Sequence, residues 1–131
     1  MPLEVHVVTP EREVWSGQAG IVVARGVDGE VGILAGHAPL LVRLAIGRLR
    51  IHNEHERVWA VVDGGFLHVT SEEGTTRVDV LASQAELASE IDVEAARARK
   101  EEFERRLLQD RDDVEARAGL AKALARIDLI G

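Results

Sequence analysis

Residues 26–47 read GVDGEVGILAGHAPLLVRLAIG, and the rest of the chain is organised around this stretch. Its first half carries four glycines within eleven residues. Because glycine reaches positive φ without steric cost, this half predicts closely spaced turns with very short strands between them. In the second half, the apolar run Leu40–Ile46, interrupted by Arg43, is typical of a buried strand. We therefore interpret the glycine-rich half as a surface loop held by that strand, with Glu30 and His37 as its polar tips.

Short alternating segments surround this stretch on both sides. Near the N-terminus, Leu3, Val5 and Val7 alternate with polar residues, as in a strand with one buried face. Similar segments follow, separated by turn signals at intervals of about 8–12 residues, which is typical of antiparallel strands in a sandwich or a barrel. We predict about ten short strands here. The predicted turns include residues 52–55 and Asp63-Gly64-Gly65.

The composition changes near residue 86, after which Ala, Glu, Arg and Leu become dominant. Apolar residues then recur three and four apart, which predicts two amphipathic helices. Asp92 is a good N-cap for the first helix, and Asp112 or Asp113 caps the second. Because the break between the helices is short, we expect antiparallel neighbours. The predicted fold is therefore a β-sandwich domain, residues 1–86, followed by a C-terminal antiparallel two-helix hairpin, residues 87–131.

The predicted hairpin is too weakly apolar to stand alone, because much of each apolar stripe is alanine. Burying a Leu, Ile or Phe contributes roughly 1.5–3 kcal/mol, whereas ordering each residue costs on the order of 1.5 kcal/mol. A unit of about 40 residues rarely folds alone without disulfides or metal. The hairpin must therefore pack on the sandwich or on a partner. A permanently packed hairpin and one that moves between docking sites are equally compatible with these residues.

The composition excludes several classes of protein. The chain has no cysteine, which removes disulfides, thiol catalysis and cysteine-based zinc sites. Its net charge of −7 argues against sequence-independent binding of nucleic acid, which needs a basic face. Neither an export signal nor an apolar run long enough to span a bilayer is readable, so we expect a chain that is not itself inserted in a membrane.

No constellation typical of an enzyme is readable from the sequence. His52 and His55 stand beside two glutamates, but zinc needs further ligands, so a solvated turn is preferred to a metal site. His37 has no nucleophile or second base at readable spacing. Neither a Gly-x-Ser-x-Gly elbow nor a Walker-type phosphate loop is present. We therefore expect no catalytic residue and no metal site.

Two motifs carry a resemblance to a known family. Residues 30–41 read EVGILAGHAPLL, which is similar to EGELGILPGHAPLL, the signature of the epsilon subunit of F-type ATP synthases. Residues 64–70, GGFLHVT, resemble a second motif of that family. Ala35 stands where the family commonly has proline. The resemblance is strong over these motifs and loose over the helices, and it implies a paired-sheet sandwich followed by a helical hairpin.

The resemblance implies a non-catalytic subunit of the central stalk, or rotor, of a proton-translocating ATP synthase. In that family the sandwich contacts the gamma subunit and the ring of membrane-embedded c subunits. The chain would then be a peripheral component at the cytoplasmic face of the cell membrane, attached only through the complex. On this sequence, the implied c-ring contact comprises Gly29, Glu30, Val31, Gly32, His37, Ala38 and Pro39.

The family's helices are known to fold down on the sandwich or to extend along the rotor, and this favours a movable hairpin. The resemblance implies that the extended hairpin inhibits ATP hydrolysis by contacting acidic surfaces of the alpha and beta catalytic subunits. The residues predicted for this charged face are Arg97, Arg99, Lys100, Arg105 and Arg106.

Some bacterial members bind regulatory ATP between the helices through the motif Ile/Leu-Asp-x-x-Arg-Ala. Here Ala95 replaces its arginine. Lys122 and Arg126 share a helix face suited to phosphates, although a solvated face is the interpretation we prefer. Loss of one charge-assisted hydrogen bond costs about 1.5–3 kcal/mol, so we expect weak ATP binding or none. The residues of this weak ATP site are Glu86, Ile91, Asp92, Lys122 and Arg126.

Two other functions remain as alternatives. A stand-alone ligand-binding sandwich, for instance for sugars, usually exposes aromatic side chains, and this chain has only two Trp, two Phe and no Tyr. A regulatory ATP-sensing module would be distinguished by titrating ATP against the isolated protein.

Overall fold

The computed structural model describes residues 2–131, which form eight strands followed by two helices. The strands are β1 (Leu3–Val8), β2 (Glu13–Ala19), β3 (Ile21–Gly26), β4 (Gly29–Leu34), β5 (Leu40–His52), β6 (Arg57–Glu72), β7 (Thr75–Ala82) and β8 (Ala85–Leu87). One turn of 3₁₀ helix at Ala88–Glu90 leads to the helices α1 (Val93–Gln109) and α2 (Val114–Ile130).

All eight strands belong to one sheet, which folds over to make two layers. The order is β2-β1-β7-β6-β5-β3-β4, and β8 pairs with β6 outside this path. Within residues 2–131, every pairing is antiparallel except that of β1 with β7. The long strands β5 and β6 are shared by both layers, since residues 65–72 of β6 pair with β7 and residues 60–62 pair with β8. This architecture, with its two following helices, confirms the predicted fold class.

The layers join where β6 bends at Asp63-Gly64-Gly65, and the predicted turn at this point is wrong. Gly64 and Gly65 have φ values of 86° and 126°, which let the strand bend without reversing. The register with β5 passes from Leu44–Gly65 to Ile46–Asp63, so one residue on each strand is skipped. Each long strand thus replaces two short ones, which is why eight strands are seen where about ten were predicted.

The core lies between the two layers and consists of side chains that alternate with exposed ones along each strand. On β1, Leu3, Val5 and Val7 are at most 1% exposed, as their alternation predicts. Within residues 2–131, no helix residue belongs to this cluster, so the sandwich has a core that does not depend on the helices. Other large residues of the core are Val22, Ile33, Leu49, Ile51, Leu67, Val69, Val78 and Val80.

Both helices begin at the aspartates that the sequence indicated. The Asp92 carboxylate accepts a hydrogen bond from the Ala95 amide at 3.0 Å, and Asp113, rather than Asp112, accepts one from the Ala116 amide at 2.9 Å. Arg106 of α1 also donates to Asp113 at 3.0–3.1 Å, which ties the end of α1 to the start of α2. The helices are therefore antiparallel neighbours, as predicted.

The hairpin packs on the outer face of the sheet through small side chains. Val61 of β6 is fully buried although its neighbours Ala60 and Val62 face the core, so Val61 points to the opposite side, where α2 packs against β5 and β6. The buried helix residues are three alanines and one arginine: Ala96, Ala116, Ala123 and Arg126. Small side chains bury little apolar area, so the hairpin gains only modest hydrophobic stabilisation from this contact.

The Asp113 cap predicts that the hairpin loses stability in acid. The hydrogen bond from the Ala116 amide, together with Arg106, holds the pKa of Asp113 below its ordinary value of 3.8. Its stabilising contribution is therefore complete above that ordinary value and is lost as the pH falls through the lower pKa of the folded state. We expect Asp113→Ala to lower the thermal stability of the helices, measured by far-UV circular dichroism. In this variant the thermal stability should also fall less as the pH is lowered. Asp112→Ala is the control, because no hydrogen bond of the Asp112 carboxylate is seen within residues 2–131; an equal effect of the two variants would contradict this role.

Candidate functional site

One buried arginine holds the hairpin on the sandwich. The Arg126 guanidinium of α2 donates to both carboxylate oxygens of Asp63, at 2.9 and 2.7 Å, and its Nε donates to Glu86 at 2.6 Å. The Arg126 and Asp63 side chains are only 9% and 1% exposed. Glu86 lies on β8, which pairs with β6. We call these three residues, Arg126, Asp63 and Glu86, the clamp.

The geometry of the clamp compensates the burial of its charges. Burial lowers the pKa of the Arg126 guanidinium, but the hydrogen bonds to Asp63 and Glu86 outweigh this, so the pKa lies above its ordinary value and the group stays charged. The two parallel hydrogen bonds to Asp63 are the bidentate arrangement that Arg and a carboxylate favour. A fourth hydrogen bond goes to the Lys122 carbonyl at 2.9 Å. Removing Arg126 would leave the buried Asp63 carboxylate without its partner, which is strongly unfavourable.

Sequence reasoning missed the clamp, and the predicted solvated face is wrong for Arg126. Asp63 was assigned to a turn, but it lies inside β6. Two signals were available. Asp63 ends the otherwise apolar segment Val58–Val62, and Arg126 lies on the apolar face of α2, between Ala123 and Ile127. An ionisable residue in each of two apolar faces indicates a buried pair, but the sequence alone does not show that the two faces meet.

The stretch 29–39 is not the single loop that the sequence predicted. Gly29–Leu34 forms strand β4, so Glu30 lies beside the β3–β4 turn whereas His37 lies beyond the other end of the strand. Glu30 is exposed and pairs in register with Arg25. His37 is half-buried in a loop that is anchored where the Gly36 amide donates to the Thr76 hydroxyl at 2.8 Å. The glycines permit both a strand and turns, and pairing with β3 decides for the strand.

The five basic residues predicted for one charged face of α1 do not share a face. At 100° per residue they spread around the helix axis, and Arg106 turns towards α2. Arg97 and Lys100 pair with Glu94 at 2.7 Å and Glu104 at 3.3 Å within the same helix. Among the described residues, Arg99 and Arg105 form no ion pair with a carboxylate. These two are therefore the basic groups of α1 best placed for a partner.

The histidines near the β5–β6 turn do not meet a third metal ligand. His52 packs edge-on against Trp59, at 5.7 Å between ring centroids, and burial, with Arg50 and Arg57 nearby, lowers its pKa. His55 is exposed. Across residues 2–131 there is no group of three or more His, Cys, Asp or Glu side chains arranged to hold a metal ion.

Comparison with known proteins identifies the family. The model for the ATP synthase delta/epsilon chain β-sandwich domain matches residues 2–101. This chain belongs to the ATP synthase delta/epsilon family. It is 47% identical over 128 residues to the ATP synthase epsilon chain of Thermobifida fusca, covering 95% of this chain and 89% of that one. It is 39% identical to the epsilon chain of Halalkalibacterium halodurans, covering 98% and 97% of the two chains.

A solved structure supports the same assignment. A chain of the Euglena gracilis mitochondrial ATP synthase superposes with a TM-score of 0.81 at 25% identity, over 98% of this chain and 80% of that one. This member of the delta/epsilon family is thus a subunit of ATP synthase and not an enzyme by itself. No helix in residues 2–131 combines the length and the apolar character needed to cross a membrane.

In this family member, the residues of the predicted ATP site do not fit a phosphate chain while the hairpin is docked. Glu86, Lys122 and Arg126 line a cleft of about 550 Å³ between the hairpin and the sandwich, but Arg126 is already held by two carboxylates. Four basic and four acidic residues line this cleft, so a phosphate chain would meet as much repulsion as attraction. Ile91 and Asp92 do not line it. Weak ATP binding, or none, remains the prediction.

The outer face of the layer formed by β1, β7 and β6 carries exposed apolar residues. Phe66 of β6 pairs in register with Leu81 of β7, and Arg43 of β5 lies on its other side. Phe66, Leu81 and Leu41 are 46%, 49% and 63% exposed. We call these three residues the apolar patch. Clustered exposed apolar residues of this kind commonly mark a protein-binding surface.

Proposed function

We propose that this ATP synthase subunit is a rotor component that couples c-ring rotation to ATP synthesis, and that its hairpin, when released from the sandwich, inhibits ATP hydrolysis. The observation that carries the proposal is the clamp. The sandwich has its own core, whereas the hairpin is attached through alanines and one buried ion pair. The family assignment leaves no support for a stand-alone sugar-binding sandwich.

The clamp makes docking of the hairpin only weakly favourable in free energy. Replacing a buried ion pair by apolar residues is often neutral or stabilising, so the net contribution of such a pair is small, although losing one partner is costly. The docked and released hairpins are therefore separated by only a few kcal/mol, which is what a movable element requires. When released, α1 presents Arg99 and Arg105 to acidic surfaces of the alpha and beta subunits, which is the inhibitory contact we propose.

The apolar patch is the surface that we assign to the gamma subunit. Its residues lie on the layer that does not carry the hairpin, so gamma remains bound whether the hairpin is docked or released. The Euglena gracilis relative was solved in an assembly containing F1 and the c-ring, which supports a position in the central stalk. Within such an assembly this chain would lie peripherally at the cytoplasmic face of the membrane.

We assign the c-ring contact to the first residues of β4, Gly29, Glu30, Val31 and Gly32, rather than to His37, Ala38 and Pro39. Glu30 lies near the start of β4 and His37 lies beyond its other end, and the six-residue strand spans about 17 Å at 3.3 Å per residue, so one narrow contact does not include both side chains. Glu30 is exposed at the turn, and rim charges of this kind set register and specificity.

Glu30→Lys is expected to lower the rate of proton-driven ATP synthesis several-fold in reconstituted vesicles, because a reversed charge disturbs the register with the c-ring. Glu54→Lys is the matched control, since Glu54 is exposed on a different turn. If His37→Gln lowers synthesis and Glu30→Lys does not, the contact lies at the other end of β4.

The inhibitory role is tested by ATP hydrolysis in the reconstituted complex. We expect the chain cut after Ala88 to raise the hydrolysis rate, because both helices are absent. Arg126→Met should lower it, because the hairpin is released but still present. If hydrolysis is the same with the intact and the cut chain, the proposed inhibition is wrong for this protein.

A further inference from the structure

Four arginines lie on the outer face of the layer that carries the hairpin, and not on the layer with the apolar patch. They lie on three neighbouring strands: Arg25 on β3, Arg48 and Arg50 on β5, and Arg57 on β6. Among the described residues, none of the four forms an ion pair with a carboxylate, whereas Arg12, Arg77, Arg106 and Arg126 all do. The chain as a whole has a net charge of −7, so carboxylates are plentiful, but among the described residues none of them forms an ion pair with these four guanidinium groups.

Three of these arginines line a cleft of about 460 Å³ together with Trp59 and Glu30. Arg50 lies over the Trp59 ring at 5.7 Å, which fixes its direction, and its Nε is buried without a hydrogen-bond partner. Arg25 extends across β5 at Gly47, where an added Cβ would lie 2.8 Å from the Arg25 Cδ. The cleft is thus shaped by packing, and Glu30 also lines it but, among the described residues, forms no ion pair with its guanidinium groups.

We propose that this cleft binds a small ligand with two or more linked phosphoryl groups. Converging like charges repel one another, and an oxyanion ligand relieves this repulsion. The guanidinium fork matches phosphate oxygens in a bidentate manner, and the cleft volume is in the range of small-molecule sites, about 300–1,000 Å³.

An acidic peptide is the less favoured occupant. Extended peptides usually bind by adding to a free sheet edge, but Arg48 and Arg50 lie on β5, which has neighbours on both sides. The cleft is also separate from the one beside the clamp, because the two share no lining residue.

The experiment is a titration of the full-length chain with inorganic pyrophosphate at low salt. In a Trp15→Phe background Trp59 is the only tryptophan, so its fluorescence reports on the cleft. Calorimetry gives a second measurement.

We expect saturable binding of pyrophosphate that weakens roughly tenfold in Arg48→Gln, because one charged hydrogen bond is lost. Glu30→Gln should strengthen binding, because it removes the carboxylate at the cleft. Arg43→Gln is the matched control and should leave binding unchanged, because Arg43 is an exposed arginine on the layer with the apolar patch and, within residues 2–131, has no ion pair.

Two further arms identify the source of the phosphoryl groups. If ADP binds more tightly than pyrophosphate and this excess affinity is lost in Trp59→Leu, the ligand is a nucleotide whose base contacts Trp59. If pyrophosphate and ADP bind alike, the ligand is an inorganic phosphate chain. The proposal is overturned if no saturable binding is seen at millimolar pyrophosphate, if Arg43→Gln weakens binding as much as Arg48→Gln, or if an oligoglutamate peptide binds more tightly than pyrophosphate.

Discussion

Arg126→Met is expected to release the hairpin from the sandwich without unfolding the strands. Removing one partner of a buried ion pair costs about 3–5 kcal/mol, because the Asp63 carboxylate is left buried and unpaired. The other docking contacts of α2 are small side chains, which do not offset such a loss. Hydrogen exchange measured by mass spectrometry should therefore become much faster in residues 93–130, while the core strands β1 and β7 keep their protection.

A double variant separates the ion pair from the packing. In Asp63→Leu/Arg126→Met both charges are replaced by apolar groups, and such replacements are often neutral or stabilising, so the hairpin should dock again. Arg105→Met is the surface control, because Arg105 is exposed and outside the clamp. Faster exchange in the strands of the single variant, or unchanged exchange in its helices, would contradict the assignment of the clamp.

Gly65→Ala is expected to destabilise the sandwich by about 3–5 kcal/mol, a large part of the free energy of unfolding of a small domain. Gly65 has a φ of 126°, which residues with a side chain rarely adopt. An added Cβ would also collide with the Leu81 carbonyl and lie 2.8 Å from the Ala82 Cα. Because β7 is packed in the core at this point, neither strand can move away without opening the bend. Urea unfolding followed by circular dichroism measures the loss.

Gly32→Ala is the control for this prediction. Gly32 has no positive φ, and nothing lies within 4 Å of an added Cβ, so its free energy of unfolding should change by no more than about 0.5 kcal/mol. Similar losses in the two variants would show that the bend at Gly65 is not the source of the effect.

The fold class was predictable because apolar residues recur with the period of a strand in the first part of the chain and with the period of a helix in the last part. Alternating apolar residues such as Leu3, Val5 and Val7 indicated strands with one buried face, and the spacing of three and four after Asp92 indicated helices. Both caps were readable, since an aspartate before a helix satisfies a free amide. The signature in residues 30–41 pointed to the family, and the sequence comparisons confirm it.

Three of the failed predictions share a cause. Asp63 was assigned to a turn, residues 29–39 to one loop, and Arg126 to a solvated face. In each case the local sequence permitted two conformations or two degrees of burial, and a contact with a segment far along the chain selected one of them. Arg126 is separated from Asp63 by 63 residues, and no local pattern shows that these side chains meet.

The sequence by itself determined which segments become strands or helices and to which family the chain belongs, because these depend on residues near one another. Only the tertiary structure decided where β6 bends, which carboxylate receives Arg126, and that four arginines converge without partners. These features depend on strand register and on the docking of α2, and both are set by burial of side chains from distant parts of the chain.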